Sequence, residues 1–472
     1  MTKRWVSRWK PTQKGEKGSL IPVLTVRSNS AIEAVSWKLP PSKSHAIRWL
    51  ALAAQSEQSI VLENMAFAGQ DAVSMRRCLS QMGVDITDLD DAGQTLSVPS
   101  NHDDQPHPNS VAWCVQGVGP GGLTPPVSVL HAGNSGTALR ILMALSAHHR
   151  VPVMLDGDAS LRSRSYATMF DCLSQLGVAC SHGVEHEGLP VLIQGPVVAD
   201  AVLSIDARRS SQPTTAWLLA SPSLPHPVPW SLEGEAVSQR HASLTLALCE
   251  QTGAQFTSSG TLHPWCPVFQ STKLSMPPDA SMLAFAFLAV SALDCPVEVE
   301  ALPHDSESLG HEVLLAWASD LGVSVHGNVL TRSATHQPMD VDLRDANDLI
   351  TPLAALMALG GGGQIKGAPH AAFKETNRLT GTANFLAQFG LTAKPTEDGL
   401  LIEGEQKLTF PKQVVNTYGD HRMMLTALVL ASASESNVVI EGQDLHTVAD
   451  PGAVDRLRQA GVSIEAHLHS PW

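Results

Sequence analysis

Long apolar runs, tyrosine and paired cysteines are all scarce in this chain of 472 residues. No stretch of 18 apolar residues occurs, so no membrane-spanning helix is expected. Tyrosine occurs twice and aromatics make up 5%, which argues against stacking platforms for single-stranded nucleic acid. Basic residues are also outnumbered: 31 Lys and Arg against 45 Asp and Glu leave a net charge of −14. That balance disfavours a chain that coats nucleic acid or anionic membrane. The seven cysteines are odd in number, scattered and free of any CxxC spacing. They read as reduced structural thiols of a cytoplasmic protein, not as a disulfide frame or a metal site. Residues 1–18 are basic but contain no apolar segment, so they are expected to be a flexible tail, not a secretory signal. GxxxxGK(S/T), HExxH and GxSxG are absent, and proline breaks the one glycine-rich stretch, GVGPGGLTPP at 117–126. No P-loop is therefore present, and that stretch is a weak dinucleotide loop.

What is present is a repeat. Six segments end a helical pattern in the same way: LSQMGVDI, LSQLGVAC, LCEQTGAQF, ASDLGVSV, LAQFGLTA and LRQAGVSI. Their glycines are Gly83, Gly177, Gly253, Gly322, Gly390 and Gly461, spaced 94, 76, 69, 68 and 71 residues apart. Each reads as an amphipathic helix, a left-handed glycine cap and a short strand. The longest spacing contains the polar stretch 97–110, read as a surface insertion. A second series interleaves with the first. Small polar clusters at Ser42, Gly133, Ser210, Asp279, Asp345 and Gly419 each open an Ala/Leu-rich run that is apolar almost all round. Such runs predict buried helices with Ser, Asn or Asp as N-caps. Six units of this kind predict an α/β (α+β) fold in two lobes of three units, with the buried helices central. If their N-termini converge, the free N–H groups between the lobes form an anion site.

The chemistry lies at those helix starts. SKSHAIR carries Lys43, Ser44 and Arg48; GNSGTALR carries Asn134, Gly136 and Arg140; SLRSR carries Arg162 and Arg164; SSQ is Ser210, Ser211 and Gln212. The second half adds Asp348 in DAND, Lys374, Glu375 and Arg378 in KETNRL, and Asp420, His421 and Arg422 in GDHRMM. Alone, Asp348 is an ordinary N-cap, and KETNRL an ordinary helix with Lys374 and Arg378 on one face. Together the motifs collect seven cations, Lys43, Arg48, Arg140, Arg164, Lys374, Arg378 and Arg422, in an acidic protein. That excess predicts a ligand with several negative charges, and two carboxylates among the cations permit general acid–base chemistry.

In these residues the sequence resembles the enolpyruvyl transferases, in the branch that acts on shikimate-3-phosphate. PSKSxxxR, GNSGTALR, SLRSR, SSQ, KETNRL and GDHRMM occur in the family's order across roughly residues 40–460. The resemblance implies a two-lobed inside-out barrel, each lobe built of three βαβαββ units. One lobe would be residues 42–277 and the other 19–41 with 278–472. It implies transfer of the enolpyruvyl group of phosphoenolpyruvate to the 5-hydroxyl of shikimate-3-phosphate, with release of phosphate. The reaction would be addition–elimination without metal or organic cofactor, in a cytoplasmic monomer of aromatic amino-acid and chorismate biosynthesis that binds neither nucleic acid nor membrane. Lys43 would touch both substrates. Ser44, Arg48, Ser210, Ser211, Gln212, Ser238, Asp348 and Lys374 would hold shikimate-3-phosphate. Asn134, Gly136, Arg164, Gln212, Arg378 and Arg422 would hold phosphoenolpyruvate. Asp348 would take the hydroxyl proton, Glu375 would serve the enol methylene, and His421 would complete the catalytic group.

Four positions depart from the family pattern. Asn377 stands for a carboxylate that could orient Arg378, Val448 for a lysine, His370 for another polar side chain and His241 for a substrate-side tyrosine. Three other readings follow. A drifted, non-catalytic binder of a phosphorylated ligand fits Val448 and Asn377. A sister transferase acting on UDP-N-acetylglucosamine would carry Lys-Asn, where this chain has Lys43-Ser44, and a reactive loop cysteine. Cys114, in VAWCVQG, sits instead in a strand-like context. An RNA-end-processing enzyme with related repeats is disfavoured by the negative charge.

Overall fold

A computed structural model describes residues 20–97, 105–183, 188–198, 200–255 and 260–469. Residues 1–18, and residues 98–104 of the insertion expected at 97–110, lie outside the described residues. The architecture is mixed α/β. Six small sheets surround two groups of apolar helices. The Ala/Leu-rich runs form the helices Lys43–Ala54, Gly136–Ser146 and Gln212–Ala220 in one group, and Leu283–Leu293, Ile350–Leu359 and His421–Ala431 in the other. Within each group all three helices touch one another. They need no polar face because neighbouring helices and sheets cover every side; Leu50, Leu142, Leu218, Leu288, Leu353 and Leu428 are all at most 1% exposed.

The six repeat glycines all have positive φ, from 67° at Gly177 to 105° at Gly253. An L side chain is strained there, so glycine lets the chain reverse out of the preceding helix. Two copies depart from the expected pattern: only the short helix Val313–Ala316 precedes Gly322, and the next described strand after Gly253 is Thr261–Leu262. Three sheets show the unit plainly. Leu130–His131 and Val153–Asp156, Leu203–Asp206 and Val228–Glu233, and Met339–Asp342 and Gly363–Lys366 are parallel strand pairs, each joined through a buried helix. In two further sheets the parallel partner comes from far along the chain. Val35–Trp37 pairs with Val297–Val299, and Lys273–Ser275 with Ser59–Glu63.

The buried apolar residues fall into two separate cores. One combines residues 24–39 with 282–464, and the other runs from 46 to 276. The chain passes between them twice, and the two crossings lie side by side. Ser42 N donates to Pro277 O at 2.8 Å, and Asp279 N donates to Pro40 O at 2.8 Å. The cores also meet where the helix Gln70–Gln81 begins. A Cβ on Gly69 would lie 2.6 Å from the Val448 carbonyl oxygen, so the close approach requires glycine.

Candidate active site

The starts of five of the six buried helices converge on one cleft of about 500 Å³ between the two cores; the start of Leu283–Leu293 does not line it. Fourteen of the sixteen expected site residues line it: Lys43, Ser44, Arg48, Asn134, Gly136, Arg164, Ser210, Ser211, Gln212, Ser238, Asp348, Lys374, Glu375 and His421. Arg378 and Arg422 do not line it. They are 1% and 0% exposed and stand behind the carboxylates.

In the wall from the 46–276 core two arginines lack counter-ions among the described residues. Arg48 donates through Nε to Thr245 Oγ1 at 2.8 Å, through Nη1 to Ser44 O at 2.8 Å, and through Nη2 to Thr215 Oγ1 and His241 O at 3.2 Å. Arg140 donates to Gln212 Oε1 at 2.7 Å and Gly136 O at 3.1 Å, and its guanidinium lies 4.7 Å over the Tyr166 ring. Among the described residues neither arginine pairs with a carboxylate. Burial pulls both down to about 10, so each remains charged at neutral pH. A buried cation left with only neutral partners is costly unless an anion joins it. Ser135 caps its helix through Ala138 N at 3.2 Å, leaving the GNSG turn open to the cleft. Asn134 Nδ2 is held by Asp158 Oδ2 at 2.7 Å.

The opposite wall carries the carboxylates. Arg378 donates to Asp348 Oδ1 at 2.6 Å, to Glu375 Oε2 at 2.7 Å and to Asp420 Oδ2 at 2.8 Å. Arg422 approaches Asp348 at 3.6 Å, and Arg164 reaches across the cleft to Glu375 at 3.3 Å. Burial alone would raise the Asp348 carboxyl. Arg422, Lys374, Arg378 and Lys43 outweigh it and hold the group well below the usual carboxylate range. Burial likewise opposes ionisation of Glu375, but Arg378, Arg164, His421 and Lys374 hold it well below the usual range too. Burial, with Lys43 next, keeps His421 neutral, and neither of its ring nitrogens has a partner among the described residues. Lys43 pairs with Asp71 at 3.0 Å; burial would lower its pKa, and Asp71, Asp348 and Glu375 together outweigh it and hold the ammonium above its usual value.

Three expectations need correction. KETNRL is not one helix: the helix begins at Arg378, and Lys374 and Glu375 lie in the connection before it, so Lys374 and Arg378 share no helical face. Asn377 ends that connection because its Oδ1 accepts from Leu379 N at 3.1 Å and Thr380 N at 3.2 Å. Arg378 therefore does not depend on residue 377 for orientation; Asp420 orients it. Asp348 is no N-cap either. It sits inside the 3-10 turn Asn347–Leu349, with its carboxylate on the arginines.

The other departures are also placed. His241 and His370 line the cleft, and burial lowers them to about 3 and about 4. Val448 is buried at the Gly69 contact, outside the cleft lining. Cys114 lies in the strand Ala112–Gln116, away from the cleft. Sequence reasoning missed Asp71, Asn347 and Arg209, which line the cleft as well. Asp71 looked like any acidic residue in the first turn of an amphipathic helix, so nothing local marked it.

Residues 26–457 match the family described as EPSP synthase (3-phosphoshikimate 1-carboxyvinyltransferase). The chain belongs to the EPSP synthase family. Proteins named 3-phosphoshikimate 1-carboxyvinyltransferase from Methanothermobacter thermautotrophicus and Methanocorpusculum labreanum are 29% and 28% identical to it. Those alignments cover 93% and 90% of this chain and 98% and 96% of the relatives. Solved structures share the fold. EPSP synthase from Acinetobacter baumannii superposes with a TM-score of 0.67 at 21% identity, over 94% of this chain and 100% of that one. The enolpyruvyl transferase NikO from Streptomyces tendae gives 0.67 at 14%, over 96% and 100%. Within the EPSP synthase fold of this chain, Arg378 is the hub of the carboxylate wall. Arg378→Met would leave three carboxylates facing a buried site without their main counter-charge. We expect a loss of about 3–5 kcal/mol in stability, read as a lower urea midpoint. An unchanged midpoint would show that Arg422, Arg164 and Lys374 hold the cluster without it.

Proposed function

We propose that this cleft transfers the enolpyruvyl group of phosphoenolpyruvate to the 5-hydroxyl of shikimate-3-phosphate, releasing phosphate. The observation that carries the reading is the asymmetry of the cleft: buried Arg48 and half-buried Arg140, neither paired with a carboxylate among the described residues, face two carboxylates held ionised. Two anionic substrates would complete the first wall, and the second wall would move protons. Arg48, Ser44, Ser210, Ser211, Gln212, Ser238 and Lys374 take shikimate-3-phosphate. Arg164, Asn134, Gly136 and Gln212 take phosphoenolpyruvate, with Arg378 and Arg422 behind them, and Lys43 serves both.

The proton chemistry follows from charge. Asp348, already ionised, accepts the 5-hydroxyl proton as the oxygen attacks C2 of the donor. Glu375 must deliver a proton to the C3 methylene. It is ionised in the free site because cations surround it. Donor phosphate and carboxylate compete for those cations, so binding raises Glu375 towards its protonated form. In the elimination half Glu375 takes a methyl proton back, the C2–O bond to phosphate breaks, and Asp348 returns its proton to the leaving phosphate. His421, neutral and beside Glu375 at 3.9 Å, completes the catalytic group.

The two apolar cores and the paired crossings support two lobes of three βαβαββ units, divided at 41/42 and 277/278, each an inside-out barrel around its helices. One chain supplies every group named, which supports a monomer. Seven free cysteines fit the cytoplasm, and no helix among the described residues is long and apolar enough to cross a membrane. The test is phosphate release by the purified chain. Release is expected only when shikimate-3-phosphate and phosphoenolpyruvate are both present. Release with UDP-N-acetylglucosamine instead would assign the sister reaction, and tight binding of both substrates without turnover would assign a binder.

A further inference from the structure

Behind Asp348 lies a second, much smaller chamber of about 10 Å³. Its walls include Lys43, Ser44, His241, Asp279, His311 and Asp348, and it shares Lys43, Ser44, His241 and Asp348 with the main cleft. A space of this size and polarity suits one water molecule with two to four polar partners.

The hydrogen-bond accounting of its walls is uneven. Asp279 Oδ1 accepts from Ser281 Oγ at 2.6 Å and from Ser281 N at 3.0 Å, and Ser281 Oγ also accepts from Arg422 Nη2 at 3.0 Å. Those groups are satisfied. His311 is not. It is 4% exposed, and its Nδ1 lies 2.7 Å from Ser308 O, so Nδ1 carries the proton and donates. Nε2 is then a bare acceptor, buried and without a partner among the described residues. Lys43 has three N–H groups and gives one to Asp71. Asp348 Oδ2 has only the 3.6 Å approach of Arg422. His311 Nε2, the unpaired Nδ1 of His241, the remaining Lys43 N–H groups and one Asp348 oxygen thus surround a water-sized space among the described residues.

The loop that supplies His311 is held there against resistance. Leu309 has φ 55°, a left-handed conformation that strains a leucine, and Gly310 follows at 94°. A Cβ on Gly310 would lie 3.2 Å from Asp345 Cβ, so the loop is pressed against the segment that leads to Asp348. Arg240 of the facing core reaches Glu312 at 3.4 Å, and Glu312 Oε2 accepts from Gly310 N at 2.8 Å.

We propose that His311 is a positioning residue: its Nε2 anchors one water that accepts from Lys43 and donates to Asp348, fixing the ammonium and the carboxylate relative to each other. The inference rests on the reading of Asp348 as the proton acceptor. Burial keeps His311 neutral, as the role requires; the charged groups around it are Asp348, Asp279 and Arg422.

His311→Leu removes the acceptor and should lower kcat about tenfold, with KM for both substrates within about twofold, because misplacing a catalytic group costs rate without loss of binding. His311→Gln, whose amide oxygen can take the same water, should recover kcat to within about threefold of the wild type. A His311→Leu enzyme with wild-type kcat, or a folded His311→Gln enzyme as slow as His311→Leu, would overturn the proposal. A crystal structure of the unmodified protein gives a readout independent of turnover. An ordered water within hydrogen-bond reach of His311 Nε2, Asp348 and Lys43 is expected; a dry chamber overturns the proposal even if the wild type releases phosphate. If the wild type releases none from both substrates, the reading of Asp348 fails while the water site still stands or falls by the crystal.

Discussion

Asp348→Asn and Glu375→Gln are each expected to lower kcat by about 10²–10⁴-fold, the usual worth of a positioned general acid or base. Substrate affinity should change far less. The amides keep the shape of the carboxylates and can still accept one hydrogen bond each from Arg378, which now binds Asp348 at 2.6 Å and Glu375 at 2.7 Å. What they lose is the ability to carry a proton. Charge adds a second, directional expectation. Each substitution removes one negative charge from a cleft whose lining holds six basic side chains against four acidic ones. The site becomes more attractive to two anions, so KM for phosphoenolpyruvate should stay level or fall. Steady-state phosphate release separates the two effects. If both variants keep near-wild-type kcat, the protons travel by another route and the assignment of these carboxylates is wrong. If kcat holds and KM rises, the carboxylates serve binding alone.

The parts of this molecule that could be read from the sequence are those written locally. A glycine after an amphipathic helix, or a polar cluster before an Ala/Leu run, is a signal within one turn of chain. Six copies of each made the architecture visible, and the six glycines do have positive φ. The cleft followed because helix starts carry both the N-caps and most of the side chains that line it. What escaped was set by long-range contact. Lys43 meets Asp71 28 positions away, and Arg164 meets Glu375 from the other core. The inward rotation of Arg378 onto three carboxylates depends on Asp420, 42 positions on. KETNRL misled because Lys and Arg four apart fit a helix face, whereas the cap formed by Asn377 decides where the helix begins. His311 had no visible signal at all, since the other walls of its chamber come from distant segments around Lys43, His241, Asp279 and Asp348.

Acid should unfold this protein earlier than its carboxylates alone would dictate. Burial pulls His45, His148 and His370 down to about 4 and His241 to about 3, with nearby cations or histidines adding to it. Unfolded, these side chains titrate near 6.5. The sign is fixed by which state holds more protons. Between pH 6.5 and 4 the unfolded chain is protonated at these positions and the native chain is not, so stability falls as pH falls through that window. For His45 and His370, both buried, the loss is about 2 kcal/mol each at pH 5, from 1.36 kcal/mol per unit. Asp348 and Glu375 act later. Their folded values are depressed, so their contribution is whole above the unfolded value near 4 and is lost only below it. Urea midpoints measured from pH 8 to 4 should therefore be level above about pH 7 and drop steeply from about 6.5. His370→Asn, which keeps a polar partner for Asn347 without a titrating ring, should flatten the slope by nearly one proton. A midpoint that stays level down to pH 5 would mean that water reaches these imidazoles, in the cleft for His241 and His370 and outside its lining for His45 and His148. The same result would weaken the case for Asp348, because its charge balance assumes the same dry, cation-filled interior.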